Sequence, residues 1–556
     1  MIANAHTAGD GEWFWYAEML RGGVHLYSTL HLALQPLFVL ETELFLVLLG
    51  KGWIASKVPA ILHLLALCLG IHLLSRRSGW PDWQKALLIL GAFFLIVRFE
   101  AYRFDDYHVL CDSFALFMAV LLLRLEESFT AGQTLIIAAG LGLLQGLMVT
   151  TRLNDGAAML IFLAIAIPCL TPKSKLASLA TFFAVSALTA LSIVLLTGDS
   201  LYAYAVNTIF KAPGSKGGLT SVMISPFILP WRSFLFLNPD VRVQVLVAAL
   251  LAVLGVCAMA VRPLSWKNLV GVVAIAVSFQ LGARQVFTGS IVPVLCAVWV
   301  FATYGLGLAA IIRLPKWSSS PREILLLMPL GLLASGSMSS AGSHTGLYAP
   351  IGILLLLIPL AFAENSRLAI KEGPARQALL AVIGLMALSG IIYRTNNPYS
   401  WHNYFVPRMF EDRVIFRHPE YGPMVIDKQL LNFIQPICRE IDQRGGSREL
   451  LSLPYPYANY FCDIPPWHGY VQTFFDTSNR ETIAGLMGEL ATPPQWILYQ
   501  HQPLTLGMHE SVYNQRRRLP HRDLDEFIMG KVASKEWAVV NRQDYGSDWI
   551  LIRTRQ

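Results

Sequence analysis

Charge is scarce in this chain: Asp, Glu, Lys and Arg make up 14% of 556 residues, against 54% hydrophobic ones. That balance excludes an ordinary water-soluble protein of this length. No basic run with interleaved aromatics occurs, so the net charge of +7 leaves no nucleic-acid footprint and no nucleic-acid partner is expected. Three signatures are also missing: Gly-x-x-x-x-Gly-Lys-Ser/Thr, a Gly-x-Gly-x-x-Gly after a strand, and a Ser nucleophile elbow. Any group the protein transfers must therefore arrive already activated. The seven Cys show no Cys-x-x-Cys spacing, and Cys68, Cys111, Cys169, Cys257 and Cys296 sit in or beside apolar stretches as small hydrophobes. The first strongly apolar stretch begins only near Ala33, so no cleavable signal is expected and insertion relies on the spans themselves.

What is present is a series of long apolar runs. A helix needs about 20 apolar residues to cross the hydrocarbon core. By that measure twelve spans are predicted, near 57–75, 86–104, 108–124, 133–151, 155–170, 176–197, 242–261, 268–284, 288–311, 323–341, 345–363 and 377–394. The stretch 33–50 carries Pro36, Glu41 and Glu43 and suits an interfacial helix better than a crossing one. Counting it as a span would part residues 1–32 from the acidic cluster at 105–112. Arg76, Arg77, Lys85, Arg124, Lys173, Lys175, Arg262, Lys267, Arg313, Lys316, Arg322, Arg367, Lys371 and Arg376 all fall on one side of the twelve-span order. Basic residues in short loops stay in the cytoplasm, so the acidic clusters, the 198–241 loop and everything after residue 395 are expected outside.

The chain thus divides into an outer loop with interfacial helices (1–56), a transmembrane part (57–394) and a soluble α/β domain (395–556). In the last part, helical periodicity over 426–441 precedes a strand at 449–453, a helix near 479–490 and strands at 496–499, 537–540 and 549–552. Cys438 and Cys462, alone among the Cys in polar sequence, form either a disulfide or two buried thiols.

Carboxylates at a membrane boundary are costly to desolvate and are functional candidates by default. Asp10 and Glu12 precede the aromatic run Trp13-Phe14-Trp15-Tyr16, which suits the headgroup level; Asp10 also reads as a helix N-cap, and the roles are compatible. Arg103, Asp105, Asp106 and His108 mark an outer turn and a possible divalent (Mg or Mn) site, or simply a solvated hairpin tip. Asp112 lies one turn inside a span, where it demands a partner. Arg152 ends the 133–151 span on the side where a cation is disfavoured, which points to anion binding; the alternative is an Arg that snorkels and pairs with Asp155. His344, at another outward turn, reads first as structural.

These residues have a familiar order. Asp10, then Leu34-Gln35-Pro36-Leu37-Phe38, then Leu110-Cys111-Asp112-Ser113-Phe114, then Gly146-Leu147-Met148-Val149-Thr150-Thr151-Arg152 resemble the GT-C-fold membrane glycosyltransferases, within them the protein mannosyltransferase and lipid A aminoarabinose transferase group. The resemblance is specific over about residues 8–170 and rests on topology beyond that. It implies a GT-C-like polytopic helical fold with a C-terminal α/β domain, a polyprenyl-phosphate-sugar donor, and a glycolipid, glycan or protein acceptor at the outer face of a bacterial inner membrane. It also implies a catalytic Asp in the first outer loop, matching Asp10, a second acidic site matching Asp112 or Asp106, and a basic residue matching Arg152. Three departures stand out. Gly11 separates Asp10 from Glu12, where family members have adjacent Asp-Glu. Gln35 stands where some have Lys, which leaves Arg152 or the loop cations Lys211, Lys216 and Arg232 for phosphate. The family places a transmembrane helix before its catalytic loop, and this chain begins within the loop.

The expected activity is therefore transfer of a sugar from a polyprenyl-phosphate carrier, with a carboxylate as base and a cation on the departing phosphate. A twelve-span transporter is the rival, but it should show paired repeats with broken midplane helices. A polymerase or ligase using a diphosphate-linked glycan would favour an Arg-rich outer loop.

Overall fold

The computed structural model describes residues 4–5, 10–96, 107–127, 130–171, 173–213, 218–220, 222–227, 303, 321–339, 348–361, 380, 413–444, 448–474, 478, 480–501, 506–507, 510, 517–545 and 547–555. The predicted spans at 242–261, 268–284, 288–311 and 377–394 lie outside this set but for residues 303 and 380, as do Arg103, Asp105, Asp106, Lys216, Arg232 and His344. Within it the protein is a helical membrane part followed by an α/β part, as the sequence leads one to expect.

A two-residue strand β1 (Asn4–Ala5) precedes helices α1 (Asp10–Arg21), α2 (Leu37–Leu49), α3 (Trp53–Arg76), α4 (Asp82–Ile96), α5 (Tyr107–Glu126), α6 (Ala131–Thr151), α7 (Leu153–Leu170) and α8 (Lys175–Leu195). Among the described residues, five stretches are long and apolar enough to cross a membrane: Lys57–Arg76, Tyr107–Glu126, Ala131–Thr151, Leu153–Leu170 and Lys175–Leu195. Each coincides with a predicted span. Helix α2 has 13 residues, about 20 Å at 1.5 Å per residue, short of the ~30 Å hydrocarbon core. The interfacial reading of 33–50 has that length as its physical basis. Shorter helices α9 (Leu201–Ala205), running into a π-helix at Val206–Lys211, α10 (Leu327–Ser339) and α11 (Tyr348–Ala361) complete the described helices of this part.

Helix α6 packs on α8 through two glycines. A Cβ on Gly142 would lie 2.6 Å from the Phe182 carbonyl oxygen, and one on Gly146 would lie 2.6 Å from Thr189 Cβ. Small residues four apart let two backbones approach where no water drives helices together. This contact fixes the end of α6, and with it Arg152.

After residue 412 come β2 (Arg413–His418), β3 (Gly422–Asp427), α12 (Lys428–Arg444), β4 (Leu450–Leu453), α13 (Tyr457–Phe461), α14 (Arg480–Glu489), β5 (Trp496–His501), α15 (Pro520–Ala533), β6 (Ala538–Asp544) and β7 (Asp548–Arg553). One sheet has the order β4-β5-β7-β6, with β4 parallel to β5 and the remaining pairs antiparallel. The other has the order β1-β3-β2. The helix expected from Ile426 starts two residues later: Ile426 and Asp427 finish β3, and Asp427 Oδ1 accepts the Gln429 amide to turn the chain into α12. Cys438 and Cys462 are joined as a disulfide, with Cα atoms 5.3 Å apart.

The two ends of the chain meet. Asn4 pairs with Val425 in parallel register, and one buried cluster unites Trp13, Phe14 and Phe38 with Tyr421, Tyr460 and Trp549. Residues 4–5 and the α/β part therefore lie on the same side of the membrane part.

Candidate active site

The site is built where α5 begins, α6 ends and α7 begins, beneath α1. Arg152 is the single residue between α6 and α7. Its amide donates to the Met148 carbonyl at 2.8 Å and its carbonyl accepts from the Gly156 amide at 3.0 Å. Gln145 Nε2, fully buried, donates to the Gly156 carbonyl at 2.6 Å and clamps the joint from the other side. Thr150 and Thr151 turn their hydroxyls back to the Gly146 and Leu147 carbonyls, so the last turn of α6 spends no polar group on the lipid.

The Arg152 side chain is 11% exposed. Its Nη1 donates to Asp155 Oδ2 at 2.6 Å, and Ser335 on α10 donates its hydroxyl to the other Asp155 oxygen. The structural alternative of an Arg152–Asp155 pair is thus present. It occupies one of three guanidinium nitrogens, since Nε and Nη2 are buried with no hydrogen-bond partner among the described residues. Tyr107 and Cys111, one turn apart on α5, act electrostatically on this guanidinium. Trp13 packs edge-on to Tyr107, with centroids 5.7 Å apart, and its indole N–H is also buried without a partner. A buried N–H donor left open is costly unless something arrives to accept it.

Asp10 opens α1 and Glu12 follows in its first turn, 4% exposed. Burial, aided by the charge of Glu12, holds the Tyr16 phenol well above its ordinary range. The Gly11 between them has a packing cause: a Cβ there would lie 2.7 Å from Tyr460 Cβ on α13. Any side chain at 11 would lift α1 off the α/β part.

Asp112 is 8% exposed on α5, between Cys111, which acts on Arg152, and Ser113, whose hydroxyl donates to the His63 carbonyl on α3 at 3.3 Å. His108 stacks on Tyr107 at 4.3 Å. Tyr107 thus links the segments that carry these residues: Trp13 of α1 and His108 pack on it, and it acts on Arg152. Lys211 is elsewhere: it ends the π-helix and pairs with Glu481 on α14 at 2.6 Å. Gln35 accepts a hydrogen bond from Tyr204. Among the described residues no three His, Cys, Asp or Glu side chains gather as a metal site.

Three features were not read from sequence. Glu41 on α2 meets His63 on α3, both carboxylate oxygens 2.8 Å from Nε2, with Phe38 against the same ring. A His inside the apolar run 57–75 was the available signal. Cys111, buried in the apolar cluster as a small hydrophobe would be, also acts electrostatically on Arg152. Lys51, in the turn between α2 and α3, places Nζ 5.7–5.8 Å from the rings of Phe14, Trp15 and Tyr421 and 3.6 Å from Asp463. This cation–π seat joins the turn to the α/β part. Beside it His418 stacks on Tyr421 at 4.2 Å, and burial holds its imidazole below the ordinary range despite the Phe461 carbonyl and nearby acids.

Neither a protein-family model nor a curated protein matches the sequence. Among solved structures, the chain is similar to ArnT from Cupriavidus metallidurans bound to undecaprenyl phosphate, with a TM-score of 0.39 and 10% identity over 100% of this chain and 95% of that one. The apo state of the same protein aligns with a TM-score of 0.39 and 8% identity, over 99% and 94%. Agreement at that level is too loose to carry an argument about activity.

Proposed function

We propose that the protein transfers a sugar from a polyprenyl-phosphate carrier to an acceptor at the outer face of the membrane. The observation that carries this reading is the Arg152 guanidinium, buried at the end of a span with Nε and Nη2 open. A buried cation with unspent donors, beside the unpartnered indole N–H of Trp13, suits an anionic phosphate on a lipid that reaches this depth. Asp155 and Ser335 orient the guanidinium and leave its other edge open.

In this reading the acceptor hydroxyl attacks the anomeric carbon from the face opposite the phosphate, with inversion. A carboxylate of α1, Asp10 or Glu12, takes its proton, and Arg152 stabilises the charge gathering on the departing lipid phosphate. Asp112 supplies the second acidic group, and a divalent cation at Asp105, Asp106 and Asp112 is compatible with these roles. The bond energy comes from the donor, consistent with a sequence lacking nucleotide-binding signatures. The closing experiment is mass spectrometry of envelope glycolipids and glycoproteins in a deletion strain, complemented with wild type or with Arg152→Ala. Loss of one sugar, restored by wild type alone, supports the reading; an unchanged glycan profile in the deletion strain overturns it.

A further inference from the structure

The end of the membrane part opposite Arg152 holds a cavity of about 450 Å³ where α3 and α5 finish. Leu73, Leu123 and Leu360 form its apolar wall, and Arg76, Arg77, Arg124 and Glu127 its polar rim. Arg77 is committed, since Nη1 and Nη2 hold the two Glu127 oxygens at 2.6 and 3.2 Å. Arg76 and Arg124 are exposed on the same rim and make no ion pair among the described residues. Among the described lining residues three guanidinium groups face one carboxylate, which leaves two positive charges over.

The apolar wall does not stop at the cavity. On α3, Leu65 and Leu69 are 61% and 50% exposed, and they precede Leu73 at four-residue spacing on one helix face. A stripe of exposed leucines thus runs along the membrane-spanning surface and enters the cavity beneath the arginines. We propose that this cavity binds an anionic phospholipid of the leaflet on that side. Its phosphodiester lies between Arg76 and Arg124, and an acyl chain follows Leu73, Leu69 and Leu65. The planar forks of two arginines match phosphate oxygens, and basic pockets between membrane helices suit acidic headgroups. A soluble phosphate-bearing anion would share the polar contacts but leave the leucine stripe unused. The rival account has the arginines serving only the carbonyl ends of α3 and α5.

The test uses the full chain purified in a neutral detergent. Unfolding temperature is followed with dioleoyl-phosphatidylglycerol, with dioleoyl-phosphatidylcholine, or with inorganic phosphate. The expected result is a rise of several degrees with phosphatidylglycerol alone, lost in R76Q/R124Q and partly kept in R76K/R124K. An equal rise with phosphatidylcholine, or a rise that survives in R76Q/R124Q, overturns the proposal. A rise reproduced by inorganic phosphate overturns the lipid assignment. Should R76Q/R124Q not fold, native mass spectrometry of wild type released from nanodiscs of equal parts of the two lipids decides: preferential retention of phosphatidylglycerol upholds the site, and equal retention removes it.

Discussion

Arg152 and Asp155 meet at 2.6 Å through a single guanidinium nitrogen, and a Ser335 hydroxyl holds the other Asp155 oxygen. An ion pair meant only to neutralise a buried cation gains most when it is bidentate. This one is turned so that two donors are left over. Removing a transition-state donor of this kind costs roughly 10²–10³ in turnover, so Arg152→Ala should lose about that factor and Arg152→Lys part of it. Removal also strands Asp155, so unfolding temperature must be read beside turnover. Donor binding and turnover unchanged in folded Arg152→Ala would reduce the residue to a structural one.

The base should be found on α1. A positioned proton acceptor contributes typically 10²–10⁴-fold. Asp10→Asn should lower transfer by about that factor with donor-lipid binding retained, and a larger loss in Glu12→Gln would move the role to Glu12. Near-normal turnover in both variants sinks the assignment.

Gly11 sets the distance between α1 and α13, since its Cβ would fall 2.7 Å from Tyr460 Cβ. Overpacking of this kind costs about 1–3 kcal/mol. Gly11→Ala should therefore unfold at a lower temperature, and pairing it with Tyr460→Gly, which removes the Cβ that is met, should recover part of the loss. Additive losses in the double variant would refute the contact.

Cys438 and Cys462 close a loop of 24 residues, and a crosslink of that length stabilises by roughly 3 kcal/mol. Alkylation of the denatured, unreduced protein should modify neither of the two, and reductant should expose both while lowering the unfolding temperature. Two thiols freely alkylated without reductant would exclude the bridge.

His501 gives the α/β part a pH dependence of defined sign. Its hydrogen bond to Asp525, at 2.8 Å, lifts the imidazole above its ordinary range against the cost of burial; Asp548 adds to the lift and Arg542 opposes it. A raised folded value means that the stabilisation is fully present below about 6.5, the unfolded value, and lost as pH rises through the folded value. The gap in unfolding temperature between wild type and His501→Gln should be wider at acidic than at alkaline pH. A gap independent of pH contradicts the pairing.

The legible part of the fold was what periodicity and length dictate. Five apolar runs became helices because a chain in lipid has no other way to satisfy its amides, and Trp496–His501 and Asp548–Arg553 became central strands because both faces are buried. The strands Arg413–His418 and Gly422–Asp427 were missed: the first alternates poorly and carries charge at both ends, and their pairing is tertiary information. At the site, Arg152, Glu12 and Asp112 stood out because charge is rare there. The partners Tyr107, Cys111 and Ser335 did not, since nothing in a linear pattern says that residue 335 meets residue 155. Glu41 and His63 were hidden in the same way, each reading alone as an exception in an apolar run.

The seat of α1 under Tyr421 and Tyr460 has a consequence for how the protein is made. Tyr421 follows Arg21 by 400 residues, which at ribosomal speed is a wait of roughly 20–80 s. Through that interval Trp13, Phe14 and Trp15 have left the ribosome but lack the surface that covers them. Helix α1 is synthesised long before the surface that covers it, so a nascent chain whose spans up to residue 195 are inserted still holds α1 unseated.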